Sequence, residues 1–143
     1  MSRILGLDIG DKRIGVAMSD PTETLASPLV IIERTTDDQT FTDILKILTQ
    51  HEVVRIIVGL PRSMNGDIGY QAEKVQSFMA ELPKHTKVPF EYRDERLTTV
   101  TAVRLKQEAS TRRLNKKTRY DAMAAAVILQ EYLDEKAAQS PQD

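Results

Sequence analysis

The apolar residues of this chain keep a strand-like pattern up to about Arg34 and alternate between helical and strand spacing beyond it, and that change bounds the fold. Up to Ile32 they lie in three β-rich stretches: Arg3 to Ile9, Ile14 to Ser19 and Leu25 to Ile32. Gly10-Asp11-Lys12, between the first two, is turn chemistry suited to a hairpin. Pro21 and the polar run Arg34 to Gln39 bound the third stretch. Short connections between successive strands predict an antiparallel meander. Beyond Arg34, helical spacing alternates with short strands. Phe41, Ile44, Leu45 and Leu48 predict a helix over Asp38 to His51, and Val53 to Val58 a buried β-branched strand. Gly59 to Gly66 reads as a loop rich in breakers, and Val75, Phe78, Met79 and Leu82 mark a second helix ending near Pro83. Val88 to Arg93 is a fifth strand, Val100, Val103 and Leu105 lie on a third helix, Ser110 to Lys116 is a basic loop, and Lys117 to Glu135 is the last helix. Strand-helix-strand alternation implies parallel pairing through right-handed crossovers. The expected fold is α/β: a mixed five-stranded sheet, three antiparallel strands and then parallel βαβ units, flanked by helices. One domain is expected over 1–135, with a flexible polar tail over 136–143.

Composition removes several function classes. The 143 residues suit one domain and argue against a two-lobed kinase. With no Cys and two His, the chain has no disulfide framework, no thiolate metal site and no cysteine nucleophile. The longest apolar run, Ala122 to Leu129, falls well short of the ~20 residues that cross a bilayer. The apolar start is cut by Asp8, too early for a secretory signal. A cytoplasmic setting without membrane is therefore expected. Lys plus Arg number 20 and Asp plus Glu 21, but the balance is local: Arg104 to Arg119 carries +6, leaving −7 elsewhere. Such a basic cluster attracts polyanions, and a solvated helix end carries the same pattern.

Three carboxylate positions stand out. Asp8 shares a strand face with Ile4 and Gly6 near the end of an apolar strand, where an acid is costly to desolvate unless paired or metal-bound. Capping of the Gly10 turn is the plainer role. Asp94 and Glu95 follow the fifth strand between Arg93 and Arg96; neighbouring strand positions face opposite ways, so one of the two aims at a given site. A solvated charge run before a helix is the plainer account of that pair. Asp121 heads a helical stripe with Ala125, Ile128 and Tyr132, though an acid in a first helical turn is favoured by the helix dipole in any case. If the strands adjoin and the last helix packs on them, the acids converge. Such a cluster holds two hard divalent cations, Mg²⁺ or Mn²⁺, of the kind that support in-line phosphoryl displacement with water as nucleophile.

Four strings then identify a family resemblance. LGLDIGDKRIGVAMSD from Leu5, IVGLPRSMNG from Ile57 followed by Gln71-Ala72, RDERLTT from Arg93, and KKTRYDAMAAAVILQEYLD from Lys116 span the chain. Together they closely resemble the YqgF family of nucleases, which are related to Holliday-junction resolvases. The resemblance implies a ribonuclease H-like fold and a divalent-metal-dependent nuclease of bacterial cytoplasm. It implies a role in maturing the 5′ end of small-subunit (16S) ribosomal RNA precursor during ribosome biogenesis. Carried over by position, it implies that Asp8, Glu95 and Asp121 are the catalytic metal-binding acids, with Asp94 as second choice to Glu95. A fourth carboxylate, common in such sites, has only Asp11 and Asp94 as weak candidates.

The basic residues Arg13, Arg62, Arg112, Arg113, Lys116, Lys117 and Arg119 are the expected nucleic-acid contacts, binding phosphates with strong salt dependence and little base specificity. Low aromatic content, 5% with no Trp, disfavours base stacking and favours structured RNA or branched DNA. Two rivals remain: an RNA-binding assembly factor without catalysis, and an actin-like ATP binder suggested by the Gly-x-Asp-x-Gly hairpin. The second would need another such domain to close over its nucleotide. Monomer and homodimer are both open.

Overall fold

The computed structural model describes residues 3–61, 70–94 and 116–139, with residue 70 and residues 116–121 described as backbone only. The element order is β1 (Arg3–Ile9), β2 (Arg13–Ser19), β3 (Ala26–Glu33), α1 (Asp37–Gln50), β4 (Val53–Leu60), α2 (Tyr70–Glu81), a 3₁₀ turn (Leu82–Lys84), β5 (Phe90–Asp94) and α3 (Lys116–Gln139). The strands form one sheet in the order β3-β2-β1-β4-β5. β1–β2 and β2–β3 pair antiparallel; β1–β4 and β4–β5 pair parallel. This is the expected meander followed by parallel crossovers, with β1 at the centre. The helix expected around 100–105 and most of the basic loop lie outside the described residues.

Each strand serves two cores because its side chains alternate faces. Leu5, Leu7 and Ile9 of β1 join Phe41, Ile44 and Leu48 of α1 and Val75, Phe78 and Met79 of α2. Ile4 of β1, Ala17 of β2 and Ile57 of β4 pack with Ala124, Ala125, Ile128, Leu129 and Leu133 of α3. The sheet is thus sandwiched between α1 and α2 on one face and α3 on the other. Burying each Leu or Ile contributes roughly 1.5–3 kcal/mol. α1 begins where Thr36 Oγ1 accepts the Gln39 amide at 3.1 Å, with Asp37 and Asp38 in the first turn where the helix dipole favours acids.

Three boundaries differ from expectation by two residues or more. β5 begins at Phe90 and not at Val88. β4 does not stop at Val58 but runs through Gly59 to Leu60, because Leu60 is buried and aligns with Asp94 of β5. The last helix continues past Glu135 to Gln139. Lys136 reaches Glu23 across the β2–β3 connection at 2.9 Å, and Ala137 and Ala138 favour helix.

α3 lies close on the sheet because glycines face it. A Cβ added at Gly6 would sit 2.9 Å from Leu129 Cβ and 3.0 Å from the Ala125 carbonyl oxygen. One added at Gly59 would meet Ile128 Cδ1 at 2.5 Å, but that atom is the free end of a side chain. Gly6→Ala is therefore expected to lower unfolding free energy by about 1–3 kcal/mol through overpacking. Gly59→Ala should cost less, since Ile128 has other rotamers. Urea unfolding of both variants checks the order.

Candidate active site

The C-terminal end of β1 carries Asp8, only 8% exposed. It lies opposite Gly15 of β2 and on the face of Ile4 and Gly6, toward α3. A carboxylate so buried supplies oxygen donors of the kind hard divalent cations take.

The turn that follows is tight. The Gly10 amide donates to the Arg13 carbonyl at 2.9 Å, and a Cβ at Gly10 would lie 2.7 Å from that same oxygen, so glycine is required there. Arg34, at the exit of β3, donates from Nη1 to the Gly10 carbonyl at 2.7 Å and from its own amide to the Lys12 carbonyl at 2.9 Å. From α2, Gln71 Nε2 and Lys74 Nζ both donate to Asp11 Oδ1 at 3.3 Å. The hydrogen bond from Lys74, then that from Gln71, holds the Asp11 carboxyl below its ordinary value. Asp11 therefore binds α2 with one oxygen. Arg34 and Lys74 drew no attention in the sequence, and Gln71 entered only as part of a family string: Arg34 sits in a polar run that signals only the end of a strand.

Arg13 lies on the same face as Asp8, beyond it at the start of β2, and its Nε donates to Glu33 of β3 at 3.0 Å. The expected phosphate ligand is thus already paired with a neighbouring acid.

β5 ends on the same edge of the sheet. Arg93 aligns with Gly59 and Asp94 with Leu60. Arg93 faces α3, where it pairs with Glu135. Asp94 is exposed and shares the opposite face with Phe90 and Tyr92. The face that Asp94 occupies is therefore not that of Asp8.

α3 runs antiparallel to β1. Gln130 donates to the Thr24 carbonyl and accepts the Ala26 amide, each at 2.9 Å, beside the Ile4 end of β1. Ala125 and Leu129 lie over Gly6. Residue 121, one turn before Ala125, follows about 6 Å further along the helix, and Asp8 lies about 6.6 Å beyond Gly6 along its strand. The backbone thus carries Asp121, with Lys116, Lys117 and Arg119 in the preceding turns, toward the Asp8 end of the sheet. Glu95, Arg62, Arg112 and Arg113 lie outside the described residues. Among the described residues, no three His, Asp or Glu side chains form a metal-binding group.

Residues 2–135 match the family described as RuvX, Holliday junction resolvase. The chain belongs to this family. Its RuvX relatives include proteins that carry the name "Putative pre-16S rRNA nuclease". The one from Thermoanaerobacter pseudethanolicus is 47% identical over 133 residues, covering 92% of this chain and 96% of the relative. The one from Symbiobacterium thermophilum is 45% identical over 140 residues, covering 98% and 97%. Among solved structures, T. thermophilus RuvC in complex with a Holliday junction substrate matches with a TM-score of 0.61 over 98% of each chain, at 13% identity. The fowlpox virus Holliday junction resolvase matches with a TM-score of 0.54 over 93% of this chain and 99% of the other, at 17% identity. These likenesses establish that this RuvX chain has the resolvase fold, the ribonuclease H-like arrangement expected above.

The Asp11–Lys74 contact is directly measurable. Because the folded pKa of Asp11 is depressed, its contribution to stability is complete above the ordinary carboxylate range and is lost as pH falls through the folded value. Carboxyl-detected NMR titration of the Lys74→Met variant should show Asp11 titrating at higher pH than in wild type. An unchanged titration would mean that the pair does not form in solution.

Proposed function

We propose that this chain is a divalent-metal-dependent nuclease that hydrolyses phosphodiester bonds at the 5′ end of 16S ribosomal RNA precursor in the cytoplasm. The observation that carries the reading is the buried carboxylate of Asp8 at the end of the central strand, in a chain of a resolvase family whose curated relatives are named for pre-16S rRNA. Asp8, Glu95 and Asp121 are proposed to hold Mg²⁺ or Mn²⁺, two ions in the full site. The donor set fits: all three are carboxylates, and carboxylate oxygens are the ligands that hard divalent cations take. The metal, when bound, supplies Lewis-acid stabilisation of the reacting phosphate and an activated water. Strand alternation supports Glu95 over Asp94, since Asp94 lies on the face away from Asp8.

The protein's own part is to bind and orient. Lys116, Lys117 and Arg119 lie at the end of α3 that heads toward Asp8, where they are proposed to draw in the RNA backbone. Arg62, Arg112 and Arg113 are proposed to extend this contact, and Arg13 to exchange Glu33 for a phosphate oxygen. Affinity carried by these cations falls steeply with salt and reads shape rather than sequence. The family description favours a second reading, cleavage of branched DNA such as a Holliday junction.

The test compares wild type with Asp8→Asn on labelled 16S precursor RNA and on a four-way DNA junction, with Mg²⁺, Mn²⁺ or chelator at low salt. Wild type is expected to cut the RNA only with metal. Asp8→Asn should bind it normally and cut at least ~100-fold more slowly, since even residues that merely orient metal ligands are commonly worth 10–100-fold. Cutting of the junction alone would shift the assignment to DNA. Binding without cutting by both proteins would make this an RNA-binding assembly factor.

A further inference from the structure

We propose that Arg34 is a positioning residue for Asp8, acting through the Gly10 carbonyl; this rests on the reading of Asp8 as a metal ligand. Three parts of one guanidinium are used at once. Nη1 donates to the Gly10 carbonyl at 2.7 Å, Nη2 lies 3.6 Å from Asp37 Oδ1, and the Cζ lies 4.7 Å from the centre of the Phe78 ring. Phe78 stacks on Phe41 at 4.6 Å, and Phe41 on His85 at 5.1 Å, so the group rests on a column reaching through α2 and α1 to the 3₁₀ turn. The Arg34 amide also holds the Lys12 carbonyl. The loop between Gly10 and Arg13 is thereby tied to the body of the protein on the α1 side, while Asp11 is tied to α2.

Gly10 is two residues from Asp8, and Asp8 is next to the last residue of β1. A strand end splays readily, and a carboxylate that must meet a metal and a reacting phosphate tolerates little misplacement. A fixed Gly10 carbonyl holds that end in register. Lysine cannot substitute: it has neither the planar fork nor the flat face that the ring and the carbonyl engage together. Arg34 is half-buried and sits on the face of the sheet opposite Asp8, so its action is through the backbone.

The test uses Arg34→Gln, Arg34→Lys and, as a control that keeps the Gly10 bond, Asp37→Asn. Mn²⁺ binding is followed by electron paramagnetic resonance without nucleic acid, and amide hydrogen exchange is measured without metal. Both Arg34 variants are expected to weaken Mn²⁺ binding about tenfold, the lower end of what orienting residues contribute. Amide protection should fall at Ile9 and Gly10 but not at Ile56 and Ile57 of β4. Cleavage should show reduced kcat with KM for RNA nearly unchanged, and Asp37→Asn should stay within twofold of wild type throughout. Mn²⁺ affinity unchanged in Arg34→Gln would overturn the proposal. So would loss of protection spread evenly over β4, which would mark a merely structural role, or an Asp37→Asn defect equal to that of Arg34→Gln. If Asp8→Asn binds Mn²⁺ as wild type does, the metal-ligand reading itself fails, and the exchange data still report separately whether Arg34 holds the turn.

Discussion

The approach of α3 to the sheet at Gly6 is the contact on which the rest depends. Leu129 Cβ and the Ala125 carbonyl leave no room for a side chain there, and the alanines from Ala122 to Ala126 keep the helix slim where it meets the strands. Dispersion gains fall off quickly with separation, so a helix held away by a methyl group loses much of its contact with Ile4, Ala17 and Ile57. The same closeness fixes the course of the helix, whose backbone runs toward the strand end that holds Asp8 as it nears residue 121.

Around that contact the fold resolves a conflict between burial and charge. β1 is central and buried on both faces, which suits its Leu and Ile residues and disfavours Asp8. The acid stands at the end of the strand, on the side where α3 packs closely on Gly6, and next to a turn held by Arg34 and by Gln71 and Lys74 of α2. Arg34 holds the turn at the Gly10 carbonyl and Lys74 holds it at Asp11, so the end of β1 is fixed through its backbone. Rigid support of this kind is what an electrostatic site needs, because its donors must be in place before charge develops.

Much of this was legible in the sequence because it depends on short-range pattern. The two periods, β-strand to Ile32 and helix with strand thereafter, follow from side-chain geometry along one segment. Asp8 could be singled out because a lone acid interrupts an apolar face, and Asp121 because it heads a helical stripe that turned out buried at Ala125 and Ile128. Less was legible where partners are remote. The bond from Arg34 to Gly10 spans 24 residues, and that from Lys74 to Asp11 spans 63. The extension of β4 to Leu60 depended on β5 lying beside it, which the breaker-rich string after Val58 concealed.

What the sequence determined by itself was the kind of elements, their order, and which acids and cations stand near element ends. Those follow from local backbone preference and from hydrophobic periodicity, which need no knowledge of neighbours. The tertiary structure alone decided that Arg13 is paired with Glu33, that Asp94 lies on the face away from Asp8, and that Arg34 grips the turn after β1. Each of these depends on strand register or on packing between elements distant in the chain. A hydrogen bond or ion pair forms only where two such elements bring their groups within about 3 Å, and no local pattern encodes that distance.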